Sequence, residues 1–211
     1  MHHLDIIAEE IRLDFEARTA ARDRALSQAR TLTRHCANAI RAVHRAERHL
    51  AEENLTEAKR LAQALRIDLA EFPDLYYAGY TQDALKEFAE ASIVFALTAD
   101  DHLPAPQDLD LQSATYLNGL AEATRELRRR CLDILRHGYS QEAERLLDHM
   151  DDIYAVLITM DYPDAITSGL RRQTDIVRSL TERTRGDLTI SIRQEHLEQS
   201  LRRLDSHLNN K

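Results

Sequence analysis

The residues that interrupt helices are rare in this chain, and nearly all of them fall where a long apolar-periodic stretch ends. The four prolines (73, 104, 106, 163) and four of the five glycines (79, 138, 169, 186) divide the sequence into helical lengths. No stretch sustains the two-residue alternation of a half-buried strand. A chain punctuated in this way is expected to be all-α.

The first stretch reads as helix over roughly 4–52 and is followed by Asn54-Leu55-Thr56-Glu57, where Asn54 can cap and Glu57 stands three residues on, as in a capping box. A second helix then runs to Phe72, with Pro73 as its stop. The third spans about 75–99 and gives way to a loop marked by Pro104, Pro106 and several acids. The fourth covers about 110–137 and closes on His137-Gly138, a basic last turn with a glycine after it. Ser140 opens the fifth, which ends near Tyr162-Pro163; the sixth runs to Arg185-Gly186 and the last over about 188–208. Gly119 lies inside the fourth pattern at a cost of about 1 kcal/mol relative to Ala, a residue that usually permits close helix contact. With 211 residues, 43% hydrophobic, the expected architecture is a single domain over 1–211 built as a seven-helix elongated bundle.

No apolar run approaches the roughly 18 residues of a membrane span, and the amino-terminal segment is acidic where a signal peptide is basic. A soluble, cytoplasmic protein with no membrane partner is expected. Cys36 and Cys131 stand far apart with no second Cys or His cluster nearby, which indicates neither a disulfide framework nor zinc. Both read as core residues.

A net charge of −8 is the wrong sign for a simple nucleic-acid-binding domain, yet the charge is unevenly spread. Between positions 17 and 50 there are eight Arg (18, 22, 24, 30, 34, 41, 45, 48) against Asp23 and Glu47. At about 100° per residue, Arg30, Arg34, Arg41, Arg45 and Arg48 fall within an arc of about 60°, opposite Leu32, Cys36, Ile40, Val43 and Leu50. Such a row either tracks a phosphate backbone, giving salt-sensitive and sequence-independent affinity, or is a solvated face paired with acids.

Acids cluster as well. Asp83, Glu87 and Glu90 share one face of the third helix, whose remainder from Phe88 is apolar, so Glu90 and Glu87 sit near the interior and need a cation or hydrogen-bond partner. Glu122 and Glu126 share a face of the fourth. If these helices pack together, Glu87, Glu90 and Glu122 form an oxygen-only set that suits Mg²⁺ or Mn²⁺, or else they pair with Lys86 and Arg125. No Glu-x-x-His occurs, which sets aside a ferritin-like di-metal centre.

Four segments carry a resemblance: Leu85-Lys86-Glu87-Phe88-Ala89-Glu90-Ala91, Tyr116-Leu117-Asn118-Gly119-Leu120-Ala121-Glu122-Ala123-Thr124-Arg125-Glu126-Leu127, Asp152-Ile153-Tyr154 and Thr184-Arg185-Gly186. Together, in order and at compatible spacing, they resemble the translin family, and the Tyr-Leu-x-Gly…Glu-Leu pattern accounts for the mid-helix glycine. The resemblance implies a seven-helix fold, a closed and usually octameric homo-oligomeric shell, and single-stranded RNA or DNA held on a basic inner surface, with acidic residues outside. Within this family the RNA-cutting members carry acids where this chain has Glu87, Glu90 and Glu122, whereas binding-only members do not. The resemblance therefore implies a Mg²⁺- or Mn²⁺-dependent endoribonuclease with those three glutamates as metal ligands and catalytic residues, the alternative being a non-catalytic binding shell. The His/Arg-rich stretch of animal translin corresponds here to Tyr76-Tyr77-Ala78-Gly79-Tyr80, which is not basic. Nucleic-acid contacts are expected instead from Arg30, Arg34, Arg41, Arg45 and Arg48. On the last helix Ile190, Leu197, Leu201, Leu204 and Leu208 form one stripe, either an inter-subunit seam or a face packed on its own bundle.

Overall fold

A computed structural model describes residues 2–209, all of its regular structure being helical among the described residues. The elements are α1 (His2–His44), α2 (Arg48–Asp68), α3 (Pro73–Tyr76), α4 (Gly79–Ala99), α5 (Ser113–Leu135), α6 (Gln141–Leu157), α7 (Asp164–Thr167) and α8 (Leu170–Asn209). Six are long, and α3 and α7 are single turns. No helix is long and apolar enough to cross a membrane among the described residues.

The chain falls into two compact units, the first Met1–Phe95 with Pro104–Tyr116, the second Ala96–Leu103 with Leu117–Lys211. In the first, α1 and α2 pack as an antiparallel pair. Ala21, Ala25, Ala29, Leu32, Cys36 and Ile40 make the buried seam of α1, Ala58, Leu61, Ala62, Leu65 and Leu69 that of α2, and Ala84, Leu85, Phe88 and Ala91 of α4 close the core. The small residues on α1 and α2 let the backbones approach closely, while Leu32, Leu65 and Phe88 supply most of the buried bulk, about 1.5–3 kcal/mol each.

The break between α1 and α2 differs from the expectation and has a local cause. It falls at Arg45-Ala46-Glu47: Ala46 adopts φ 58°, and the N–H groups of Ala46 and Glu47 bond to the carbonyls of Val43 (3.0 Å) and Ala42 (2.9 Å). That is a Schellman turn, normally signalled by glycine. Asn54 therefore lies within α2, where its amide donates to the Leu50 carbonyl at 2.8 Å and its Oδ1 meets His35 Nδ1 at 3.0 Å. Pro73 starts α3 at a first-turn position instead of stopping α2.

In the second unit α6 buries Ala143, Leu146, Leu147, Met150, Ile153 and Leu157, and α8, which packs on it, buries Leu170, Val177, Thr181, Thr184 and Leu188. Ser140 caps α6 as expected, its hydroxyl accepting the Glu142 N–H at 3.2 Å. The expected break at Arg185-Gly186 is absent, and α8 continues through it. One glycine costs only about 1 kcal/mol inside a helix, and the segment is held on both sides: Arg128 bonds to Thr184 (2.8 Å) and Asp187 (2.9 Å), and Arg185 to Asp151 (2.5 Å). Arg145 donates to the carbonyls of Leu97 (2.8 Å) and Thr98 (3.2 Å), satisfying carbonyls at the end of α4.

Both long helices outrun their cores. Leu4, Ile11 and Phe15 at the start of α1, and Ile190, Leu197, Leu201, Leu204 and Leu208 along the end of α8, are all more than 45% exposed. The α8 stripe is thus not packed onto its own bundle.

Candidate functional site

α4 places Glu87 and Glu90 three residues apart on one face of a helix that is almost wholly buried from Phe88 to Leu97. Glu90 is 8% exposed and Glu122, on α5, 7%; Glu87 is half-buried. One carboxylate oxygen from each of these three glutamates lies within 4.8 Å of the other two. The three residues singled out from the sequence are brought together.

At that separation each pair of like charges repels by roughly 3 kcal/mol at an effective dielectric of about 20, so the cluster demands positive charge, donors or protons. Several groups answer it. Gln173 of α8 donates Nε2–H to Glu122 Oε1 at 3.1 Å, and Arg125 lies 3.8 Å from the same oxygen while donating to Gln173 Oε1 at 3.1 Å. Lys86 Nζ is 3.9 Å from Glu87 Oε1. Glu126 points elsewhere, 3.7 Å from Arg129.

The negative field reaches into the core of the first unit. Burial, and then the charges of Glu87 and Glu90, push the Cys36 thiol far above its ordinary range. Cys36 is a protonated core residue, neither nucleophile nor ligand. Cys131 is equally buried, and desolvation raises it to about 11.

The residues fit a hard divalent cation. Ligands of an octahedral Mg²⁺ are about 3 Å apart on adjacent corners and about 4.2 Å on opposite ones, from the roughly 2.1 Å bond, and a small inward movement of these oxygens from their present separations, all within 4.8 Å, would reach that range. The donors are carboxylate oxygens alone, the set that favours Mg²⁺ or Mn²⁺ over zinc or copper.

The arginine row is only partly continuous. Arg30, Arg34 and Arg41 are exposed on α1, Arg41 bonding to Asn38 Oδ1 at 2.5 Å. Arg45 falls in the turn after α1, and Arg48 begins α2, where its guanidinium stacks 4.3 Å over the Phe95 ring and lies 3.4 Å from Glu52. The helical arc assumed that α1 ran on to residue 52, and the turn at Ala46 redirects its last two members. Of the tyrosines, Tyr116 is buried and donates to the Pro104 carbonyl at 2.8 Å, and Tyr76 and Tyr77 meet edge-on at 5.2 Å.

Gln173 has no counterpart in the sequence reading. A glutamine on a charged helix 51 positions after its partner carries no spacing signal, and only the packing of α8 reveals it.

The chain is all-helical among the described residues and gathers three carboxylates that could hold a cation, and its relatives narrow the class to which it belongs. No family model matches the chain. The uncharacterized protein MJ0175 of Methanocaldococcus jannaschii is 32% identical over 187 residues, 88% of this chain and 82% of that protein. Among solved structures, AfC3PO in complex with duplex RNA and AfC3PO in its own crystal structure each superpose with a TM-score of 0.82 at 32% identity, over 87% of this chain and 95% and 96% of theirs. Apo-NeC3PO shares the fold at a TM-score of 0.80 and 16% identity, over 87% of this chain and 96% of its own. C3PO is the complex of translin and its partner, and the chain belongs to the translin family.

Proposed function

We propose that this protein is an RNA-binding, translin-type oligomer that hydrolyses phosphodiester bonds of single-stranded RNA, with Glu87, Glu90 and Glu122 holding a Mg²⁺ or Mn²⁺ ion. The observation that carries this reading is the convergence of those three carboxylates, two of them buried, within 4.8 Å. A divalent cation held there would supply Lewis-acid stabilisation of charge developing on the phosphoryl oxygens and would acidify the attacking water. Glu87, the most exposed of the three, is the member best placed to accept a proton from that water. Gln173 and Arg125 fix the Glu122 carboxylate, Gln173 without adding charge.

RNA binding is supported by the relative of 32% identity that was solved in complex with duplex RNA, and by the exposed Arg30, Arg34 and Arg41 in an otherwise acidic chain. Homo-oligomerisation, for which we propose the octamer, is supported by the exposed apolar residues spaced along the start of α1 and the end of α8, which a subunit contact would cover. The second reading, a shell that binds without cutting, is favoured by the fact that Glu122 already has Gln173 and Arg125 as partners.

Incubating the purified protein with single-stranded and duplex RNA in Mg²⁺, Mn²⁺ or EDTA separates them. Metal-dependent cleavage of the single strand that disappears in a folded Glu90→Gln variant is expected. Binding without cleavage in either metal, or full activity of Glu90→Gln, would overturn the catalytic assignment.

A further inference from the structure

A cleft of about 360 Å³ opens in the first unit between α1 and α4. Its walls combine Leu26, Ala29 and Ala84 with Arg30, Asp83 and Glu87. Glu87 belongs to the carboxylate cluster, and Arg30 belongs to the basic row of α1. Of the five arginines of that row, Arg30 is the one that lines this cleft. Its side chain is exposed, and among the described residues no carboxylate lies within ion-pair distance of it.

We infer that this cleft is a single-nucleotide subsite adjoining the carboxylates, in which Arg30 clasps the phosphate next to the one presented to Glu87. The inference rests on the RNA-binding reading above and adds a positioning residue to it. Three features carry it. At about 360 Å³ the cleft lies at the lower end of the roughly 300–1,000 Å³ range of small-molecule sites, suited to one nucleotide and too small for a duplex. Its apolar patch of Leu26, Ala29 and Ala84 offers a surface for a base or sugar face, while the guanidinium of Arg30 offers a planar fork to a phosphate. Asp83 and Glu87 repel a phosphate, so an anion in the cleft is driven toward Arg30, and the two signs fix the register of the strand instead of simply attracting it.

Arg30 and Glu87 then act on neighbouring phosphates of one strand and should be energetically coupled, and a double-mutant cycle tests this without cleavage. The affinity of a fluorescein-labelled single-stranded RNA oligonucleotide would be measured by anisotropy in EDTA across a range of salt. Arg30→Ala should weaken binding roughly tenfold and reduce the salt slope by about one. Glu87→Gln should tighten binding in the wild-type background and by less than half as much in Arg30→Ala, whereas its effect should be undiminished in Arg34→Ala. Thermal unfolding of each variant checks that the substitutions leave the fold intact. Unchanged affinity and slope in Arg30→Ala, independent effects of Arg30→Ala and Glu87→Gln, or absence of RNA binding by the wild type would each overturn the subsite. Coupling in a protein that cuts no RNA would uphold the subsite and reject the nuclease; metal-dependent cleavage without coupling would do the reverse.

Discussion

Gln173 Nε2 reaches across from α8 to donate a 3.1 Å hydrogen bond to Glu122 Oε1, and Arg125 holds the far end of the same amide at 3.1 Å. The contact aims a neutral donor at a buried carboxylate, orienting it without cancelling its charge. Partners of this kind typically change metal affinity or activity by 10–100-fold when removed. Gln173→Leu should therefore weaken Mn²⁺ binding by at least tenfold, read by isothermal titration, while helical content is unchanged. Equal affinity in the variant would make Gln173 a packing residue only.

Three acids in one small volume destabilise the metal-free protein and reward the bound state. Saturating Mn²⁺, at about 100 times its dissociation constant, should add about 2.7 kcal/mol and raise the unfolding temperature by roughly 5–10 °C. In Glu90→Gln the unfolding temperature in EDTA should rise, because a buried like charge is removed, and the gain on adding Mn²⁺ should vanish. Differential scanning calorimetry reads both.

Much of this was written in the residues, and what was not has particular physical reasons. Ser140 announces α6 because a hydroxyl at that position can accept one of the unpaired N–H groups of the first turn, and the structure uses it. The end of α1 was hidden because Ala46 occupies the left-handed conformation that glycine normally takes, so no breaker marks it. Gly186 points the opposite way: one glycine is a modest cost inside a helix, and Arg128 and Arg185 tie the turn around it to Asp187 and Asp151. The glutamates stood out because a carboxylate in an apolar run has few ways to be tolerated, but that Glu122 would meet Glu87 and Glu90 required helix packing that spacing alone does not give. Arg45 and Arg48 share the arc only on a helix that continues past His44, and α1 ends there.

Both thiols should be inert in the folded protein. Cys36 and Cys131 are each fully buried, with pKa values raised chiefly by desolvation, and neither should react with a disulfide reagent at pH 8 until the protein is unfolded. For Cys131 the folded value of about 11 lies above its ordinary 9.0, so its contribution to stability is complete below pH 9 and is lost as pH rises toward 11. Denaturant unfolding of Cys131→Ala should show a shallower loss of stability across that window than the wild type.

The exposed stripe of α8 gives a test of assembly. Replacing Leu197 and Leu204, 60% and 56% exposed, with Asp should lower the mass measured by light scattering while leaving circular dichroism unchanged. An unchanged mass would assign the oligomer contact to another face.

The proposed function requires that three glutamates from α4 and α5 hold one divalent cation. The most direct measurement is anomalous diffraction from crystals grown with Mn²⁺. A single strong peak per chain is expected within bonding distance of carboxylate oxygens of Glu87, Glu90 and Glu122, absent in Glu90→Gln crystals. A fully occupied Mn²⁺ elsewhere on the chain, or no peak among these oxygens at saturating metal, would contradict it.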